Sequence, residues 1–328
     1  MRKSLLLVLL LITSFTTFLS NAQGTWNFAA PTDGSGTVGA ESARRICVDS
    51  NGNVYMIGPF NGAGAATDFD LSSSSTNTFT ASTNDGYIVS YDKNGNFRWK
   101  TIVTGTGSDF GAPAGGVCTD GTNVWVSGSA NVSGGAATVI SSTNTVILTS
   151  TGTGVDNFVA KLNCSNGSIQ WAKVFGGTGP NDFGQGICID PAGNSYMLGC
   201  YSSTFTLDGV TAPVFSGTIS DVYIAKFSPT GTLLAVATGG STVQDAVNAG
   251  GGICYVPGAT PTIVAVGHTG AATSSFGSFT GLANAGVYDI VLLELDLNLN
   301  YTNVLVFGSS GSDELLAAVY DPSSGDVF

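Results

Sequence analysis

The chain has 328 residues, 22 acidic against 10 basic side chains, and a net charge of −12; 46 residues are glycine and only 10% are charged. So few basic groups argue against nucleic-acid binding, which depends on Lys and Arg neutralising phosphates. Abundant glycine without a Gly-X-Y period excludes collagen and points to a turn-dense β protein.

In chain order, the first element is a leader over residues 1–22. Met1-Arg2-Lys3 is a basic start, Leu5 to Ile12 is apolar, and Ser20-Asn21-Ala22 places small residues before Gln23. That succession predicts a secretory signal peptide and an extracellular or cell-surface destination. Removing it takes away Arg2 and Lys3 and moves the net charge from −12 to −14. No later stretch is long and apolar enough to span a bilayer, so no membrane span is expected in the mature chain.

The elements that follow repeat every 65–73 residues. The first marker is an apolar strand, a turn and a second strand: Ile46-Cys47-Val48 with Val54-Tyr55-Met56-Ile57, joined by Asp49-Ser50-Asn51-Gly52-Asn53. It returns at Val117-Cys118, Ile187-Cys188 and Ile253-Cys254, and begins again at Asp313. The second marker is an aspartate opening another strand, at Asp85, Asp156, Asp221 and Asp289. A tight turn and an aromatic usually follow, as at Asn94-Gly95 before Trp99 and Asn166-Gly167 before Trp171; Trp26 fits the same position. Asn-Gly between β-prone runs predicts hairpins with both turn residues at positive φ.

Four strands per copy is the arithmetic of a propeller blade. The expected fold is all-β, a β-propeller over residues 23–328, with blades near 40–103, 109–175, 182–238 and 245–307 and another starting at 313–328. The surplus between second and third strands, such as 61–84, is expected to form extra hairpins or long loops on one rim. Asp313 to Val319 has helical propensity alone, but its repeat position predicts strand. Because the last copy stops inside a hairpin, the chain is expected to be incomplete; closure by its two termini is the alternative.

The stretch from Trp171 to Gly199, W-x-x-x-F-G-G-x-G-x-x-D…I-C-I-D-x-x-G-N-x-Y-x-x-G, resembles the bacterial SBBP repeat, a β-propeller repeat family. The resemblance covers roughly residues 24–328, with departures at Ala235, which replaces the tryptophan, and at Tyr255-Val256. It implies a secreted or surface-associated bacterial protein and no single activity. Tyr91 to Trp99, with Asp92 and Gly95, is similar to the docking motif of quinoprotein propellers. That likeness implies an inter-blade packing role for Trp99 and Trp171.

Groups present in every copy are expected to build blades, whereas a site needs residues that break the repeat. Asp109, Asp182, Asp245 and Asp313, like Asp85, Asp156, Asp221 and Asp289, therefore read as structural. Cys47, Cys118, Cys188 and Cys254 read as four buried free thiols; Cys164 and Cys200 stand outside the pattern and could pair with each other. The Asp49 loop is a poor calcium loop, since its glycine comes early and its twelfth position is Phe60. Gly105-Thr106-Gly107 and Gly176 to Gly179 read as inter-blade connections and not phosphate loops. His268, the only histidine, is expected just past a strand end, and Arg44-Arg45 is a candidate binding rim.

No residue is assigned as catalytic, cofactor-binding or metal-ligating, and no cofactor is expected. The expected role is that of a secreted or cell-surface binding or structural module for an unknown extracellular ligand, a glycan or a protein. An extracellular hydrolase or lyase acting on polysaccharide is the alternative.

Overall fold

A computed structural model describes Asp33–Gly34 and residues 42–328, except 62–65, 71–76, 82–83, 106, 108, 110–114, 134, 150–153, 180–181, 214–219, 244, 246–251, 271–272 and 316. The leader over 1–22 and Trp26 lie outside the described residues.

The β-branched and aromatic runs form antiparallel four-stranded units, each pairing in chain order. The first comprises β2 (Arg45–Val48), β3 (Val54–Asn61), β6 (Asn84–Tyr91) and β7 (Phe97–Thr104). The second comprises β8 (Val117–Thr119), β9 (Asn123–Asn131), β12 (Val155–Asn163) and β13 (Ile169–Phe175). The third is β14 (Phe183–Ile189), β15 (Ser195–Tyr201), β18 (Asp221–Phe227) and β19 (Leu233–Ser241). The fourth is β20 (Ile253–Val256), β21 (Thr262–Thr269), β24 (Asp289–Asp296) and β25 (Tyr301–Phe307). The inner strands β2, β8, β14 and β20 touch in succession, which is the blade order of a β-propeller.

The insertions between second and third strands are hairpins, and those of the second and fourth blades pair with the preceding blade rather than standing on a rim. The hairpin of β10 (Ala137–Ser141) and β11 (Thr145–Leu148) leaves the second blade and pairs with β7 of the first, Val139 opposite Val103. That of β22 (Thr273–Phe276) and β23 (Phe279–Ala283) leaves the fourth and pairs with β19 of the third. The third blade's hairpin, β16 (Phe205–Leu207) and β17 (Val210–Ala212), packs beside β13 and β19 without joining their ladders. In the first blade β4 (Ala66–Asp68) pairs with β5 (Thr78–Thr80) and with β1 (Asp33–Gly34). An outer strand would otherwise expose a row of unpaired backbone groups, and the neighbour's hairpin covers it.

Two local expectations need correction. In the Asp-Asn-Gly turns only the glycine takes positive φ, +81° at Gly52 and +85° at Gly95. The aspartate explains this: Asp49 Oδ1 accepts from the backbone N–H groups of Asn51 and Asn53, each at 2.9 Å, fixing the rest of the loop. Asp313 to Val319 forms neither helix nor named strand. Among its described residues Asp313 N–H bonds Tyr288 O at 2.8 Å, next to a Tyr288–Ser312 bridge, and Val319 exchanges backbone bonds with Phe328 beside a Tyr320–Val327 bridge.

The apolar core lies in the seams between blades. Tyr55, Trp99, Val126 and Leu162 join the first and second blades, Trp125, Phe175, Met197 and Tyr223 the second and third, and Tyr196, Ile224, Leu293 and Leu295 the third and fourth. Among the described residues no helix is long and apolar enough to cross a membrane.

Candidate functional site

The tight-turn face is built from one unit used repeatedly. Opposite each repeat cysteine in the first three blades stands a fully buried aromatic: Tyr55 across from Cys47, Trp125 from Cys118, Tyr196 from Cys188. A cation lies over each ring, Arg98 at 5.8 Å from Tyr55, Lys161 at 4.9 Å from Trp125 and Lys226 at 5.5 Å from Tyr196. Two of these cations also tie blades together, Lys161 Nζ donating to Pro229 O at 3.3 Å and Lys226 Nζ to Leu297 O at 2.7 Å.

In the first and third blades the tyrosine hydroxyl closes the unit. Tyr55 donates to Asp49 Oδ2 at 2.9 Å and Tyr196 to Asp190 Oδ2 at 3.0 Å. Each carboxylate also receives two backbone N–H groups and an asparagine amide, so its oxygens are fully engaged. The turn itself therefore supplies partners to both oxygens of each of these aspartates. Among the described residues no cluster of three or more metal-ligating side chains occurs.

The second blade breaks the unit. Trp125 stands where the tyrosine would, and its buried indole N–H has no partner. Asp120 is exposed, and its Oδ2 receives only Asn123 Nδ2, at 3.3 Å. Both residues line a cleft of about 460 Å3 at the seam of the second and third blades, with Lys161, Asp190, Pro229 and Tyr255. Tyr255 breaks the repeat as well, standing where the third blade has Ile189. The matching space at the first seam, about 320 Å3 beside Asp49 and Arg98, has no such loose groups on its turn aspartate.

The opposite face carries carboxyl pairs at the seams. A side chain on Gly176 would place its Cβ 2.5 Å from Asp156 Oδ1 and 2.6 Å from Asp182 Oδ2. Gly240 lies likewise against Asp221 and Asp245, and Gly308 against Asp289 and Asp313. Asp182 accepts from Gly177 N at 2.9 Å and Ser202 N at 2.7 Å, clamping the inter-blade connection to its own second strand. This is the structural work the repeat position predicts. Burial pushes the Asp109 carboxyl up to about 8; neighbouring Asp85 adds to the rise and the Asn131 N–H opposes it. Asp182 and Asp245 are raised for the same first reason, burial.

The remaining candidates fall as follows. His268 lies inside β21 and not beyond it, buried with its ring 4.8 Å from that of Tyr288; burial lowers its pKa and Glu314 opposes this. Cys47, Cys118, Cys188 and Cys254 are free thiols on the four inner strands, but Cys47 and Cys118 are half-buried where full burial was expected. Cys164 is free too, its sulfur 3.3 Å from Thr119 Oγ1, so a Cys164–Cys200 bridge is absent. Arg44 is exposed beside the first inner strand, and the guanidinium of Arg45 donates to Arg44 O at 2.7 Å. The pair lines no cleft with Trp125. The sequence signal for the cleft was Trp125 at a position that holds Tyr55 and Tyr196 in the first and third blades and Val264 in the fourth, a deviation easily read as one more apolar strand residue.

Fold and seams define a β-propeller. Residues 170–199 match the SBBP family model, described as a beta-propeller repeat. No curated protein matches the chain. Among solved structures, a europium-containing methanol dehydrogenase is similar at 12% identity and a TM-score of 0.29, over 82% of this chain and 63% of that one. The chain thus spans less than two thirds of that dehydrogenase, and a likeness this distant carries no argument about activity.

Proposed function

We propose that the protein is an extracellular binding module, its leader directing secretion and its propeller presenting a cleft on the tight-turn face. The observation that carries this reading is the cleft at the second seam, where Trp125 and Tyr255 depart from the first and third blades and the turn aspartate Asp120 is left loosely bonded. Recurring groups are consumed in building blades, so the deviating ones are those free to meet a ligand. An acid/base pair for hydrolysis would need two available carboxyl groups. Of the two here, Asp190 is engaged by four hydrogen bonds. Binding is therefore favoured over turnover. The test is retention of the purified chain on a glycan array and on immobilised matrix proteins, beside activity screens on polysaccharides. Retention without product formation supports the module; turnover of a polysaccharide contradicts it.

A further inference from the structure

We infer that the cleft between the second and third blades binds a neutral saccharide, one hydroxyl of which replaces the tyrosine hydroxyl the second blade lacks. This rests on the binding reading above and names its ligand class. In the first and third blades a hydroxyl sits on the turn carboxylate, Tyr55 on Asp49 and Tyr196 on Asp190. In the second blade the acceptor, Asp120 Oδ2, keeps one long bond of 3.3 Å, and the aromatic offers an unpartnered N–H instead of an O–H.

A sugar hydroxyl both accepts and donates, so one such group satisfies the Trp125 N–H and the Asp120 carboxylate together. A buried donor without a partner is costly, and filling the gap recovers that cost. Lys161, whose ammonium has three donors and one bond to Pro229 O, can turn these donors to neighbouring hydroxyls once it leaves that carbonyl. Tyr255 supplies a half-buried aromatic wall. Because Asp120 and Asp190 flank the cleft and the chain is acidic overall, uronates and sulfated sugars are repelled. The indole N–H is buried as the fold stands, so a saccharide reaches it only when a lining side chain moves; Lys161, 4.9 Å over the indole ring and tied to Pro229 O, is the side chain that moves.

Trp125→Tyr gives the second blade the residue type that Tyr55 and Tyr196 supply in the first and third, and its own hydroxyl is expected to occupy the gap. The full chain, 15N-labelled on tryptophan, is titrated with maltose, cellobiose, lactose and chitobiose while the Trp125 indole N–H resonance is followed. The wild type and Trp125→Tyr are then compared on the glycan array. A saturable shift of that resonance with one sugar, with retention lost by at least about tenfold in Trp125→Tyr, supports the inference; tenfold is the size of one hydrogen bond. Glycan retention equal in both proteins, or an indole signal unmoved by every sugar, overturns it and leaves the binding reading standing. Wild-type protein held by neither glycans nor matrix proteins overturns both.

Discussion

Trp99 and Trp171 each fill a space that a glycine of the next blade leaves open. Trp99 donates from Nε1 to Cys164 O at 2.8 Å and packs on Gly167, whose φ is +70°. Trp171 packs on Gly231, where a Cβ would come within 2.6 Å of the indole. At the next seam both partners change together: Ala235 takes the tryptophan position and Leu299, at φ +66°, takes the glycine position in the same cluster. A side chain lost on one blade is returned by the other, at the cost of a left-handed leucine. Leu299→Gly is expected to cost about 2 kcal/mol by leaving a cavity, and Ala235→Trp alone about 1–3 kcal/mol by overpacking. The double variant should lie closer to wild type than their sum, which denaturant titration of all four proteins measures; strict additivity would break the pairing. Free thiols make a second residue-scale prediction. Cys47, Cys118, Cys164, Cys188 and Cys254 should all alkylate in denaturant without reductant, as read by mass spectrometry, and a blocked pair would refute it.

At the scale of elements, hairpin exchange and carboxyl clamps hold neighbouring blades together. Cutting back β10 and β11 uncovers the edge of β7, so such a variant should aggregate in light scattering while keeping its β signature in circular dichroism. The clamps set a pH dependence of definite sign. Asp109 titrates near 8 when folded against 3.8 as its ordinary value, so the folded state holds the extra proton between those values. Stability from this group is therefore present below about pH 4 and lost as pH rises through about 8. Asp182 and Asp245 act in the same direction. Asp92 acts oppositely, its carboxyl held low by Asn96, so its contribution fades below pH 3.8. Melting temperatures should peak at mildly acidic pH and fall toward pH 8. Asp109→Asn should flatten that fall, and a profile rising to pH 8 would contradict the assignment. The strands and turns were legible in the sequence because their markers recur in register. The hairpins' destination was not, since pairing with a preceding blade depends on which edge lies open, a tertiary matter that Thr138 to Ser141 do not announce.

Across the whole molecule, one unit is repeated until its inner strands line up blade after blade, and the proposed binding cleft lies where a copy departs from the unit. The repeat made the propeller readable from two marker sets. The cleft was hidden because its meaning lies in a missing bond, visible only once Tyr55 and Tyr196 are seen donating to aspartates and Trp125 is not. His268, the most conspicuous lone residue, turned out to be buried in β21. The most direct test is a crystal structure of the full chain with the saccharide that the array retains. The account predicts a sugar hydroxyl bridging Trp125 Nε1 and Asp120 Oδ2, with Lys161 moved off Pro229. Sugar density at another surface, with only a water molecule in that gap, would contradict it.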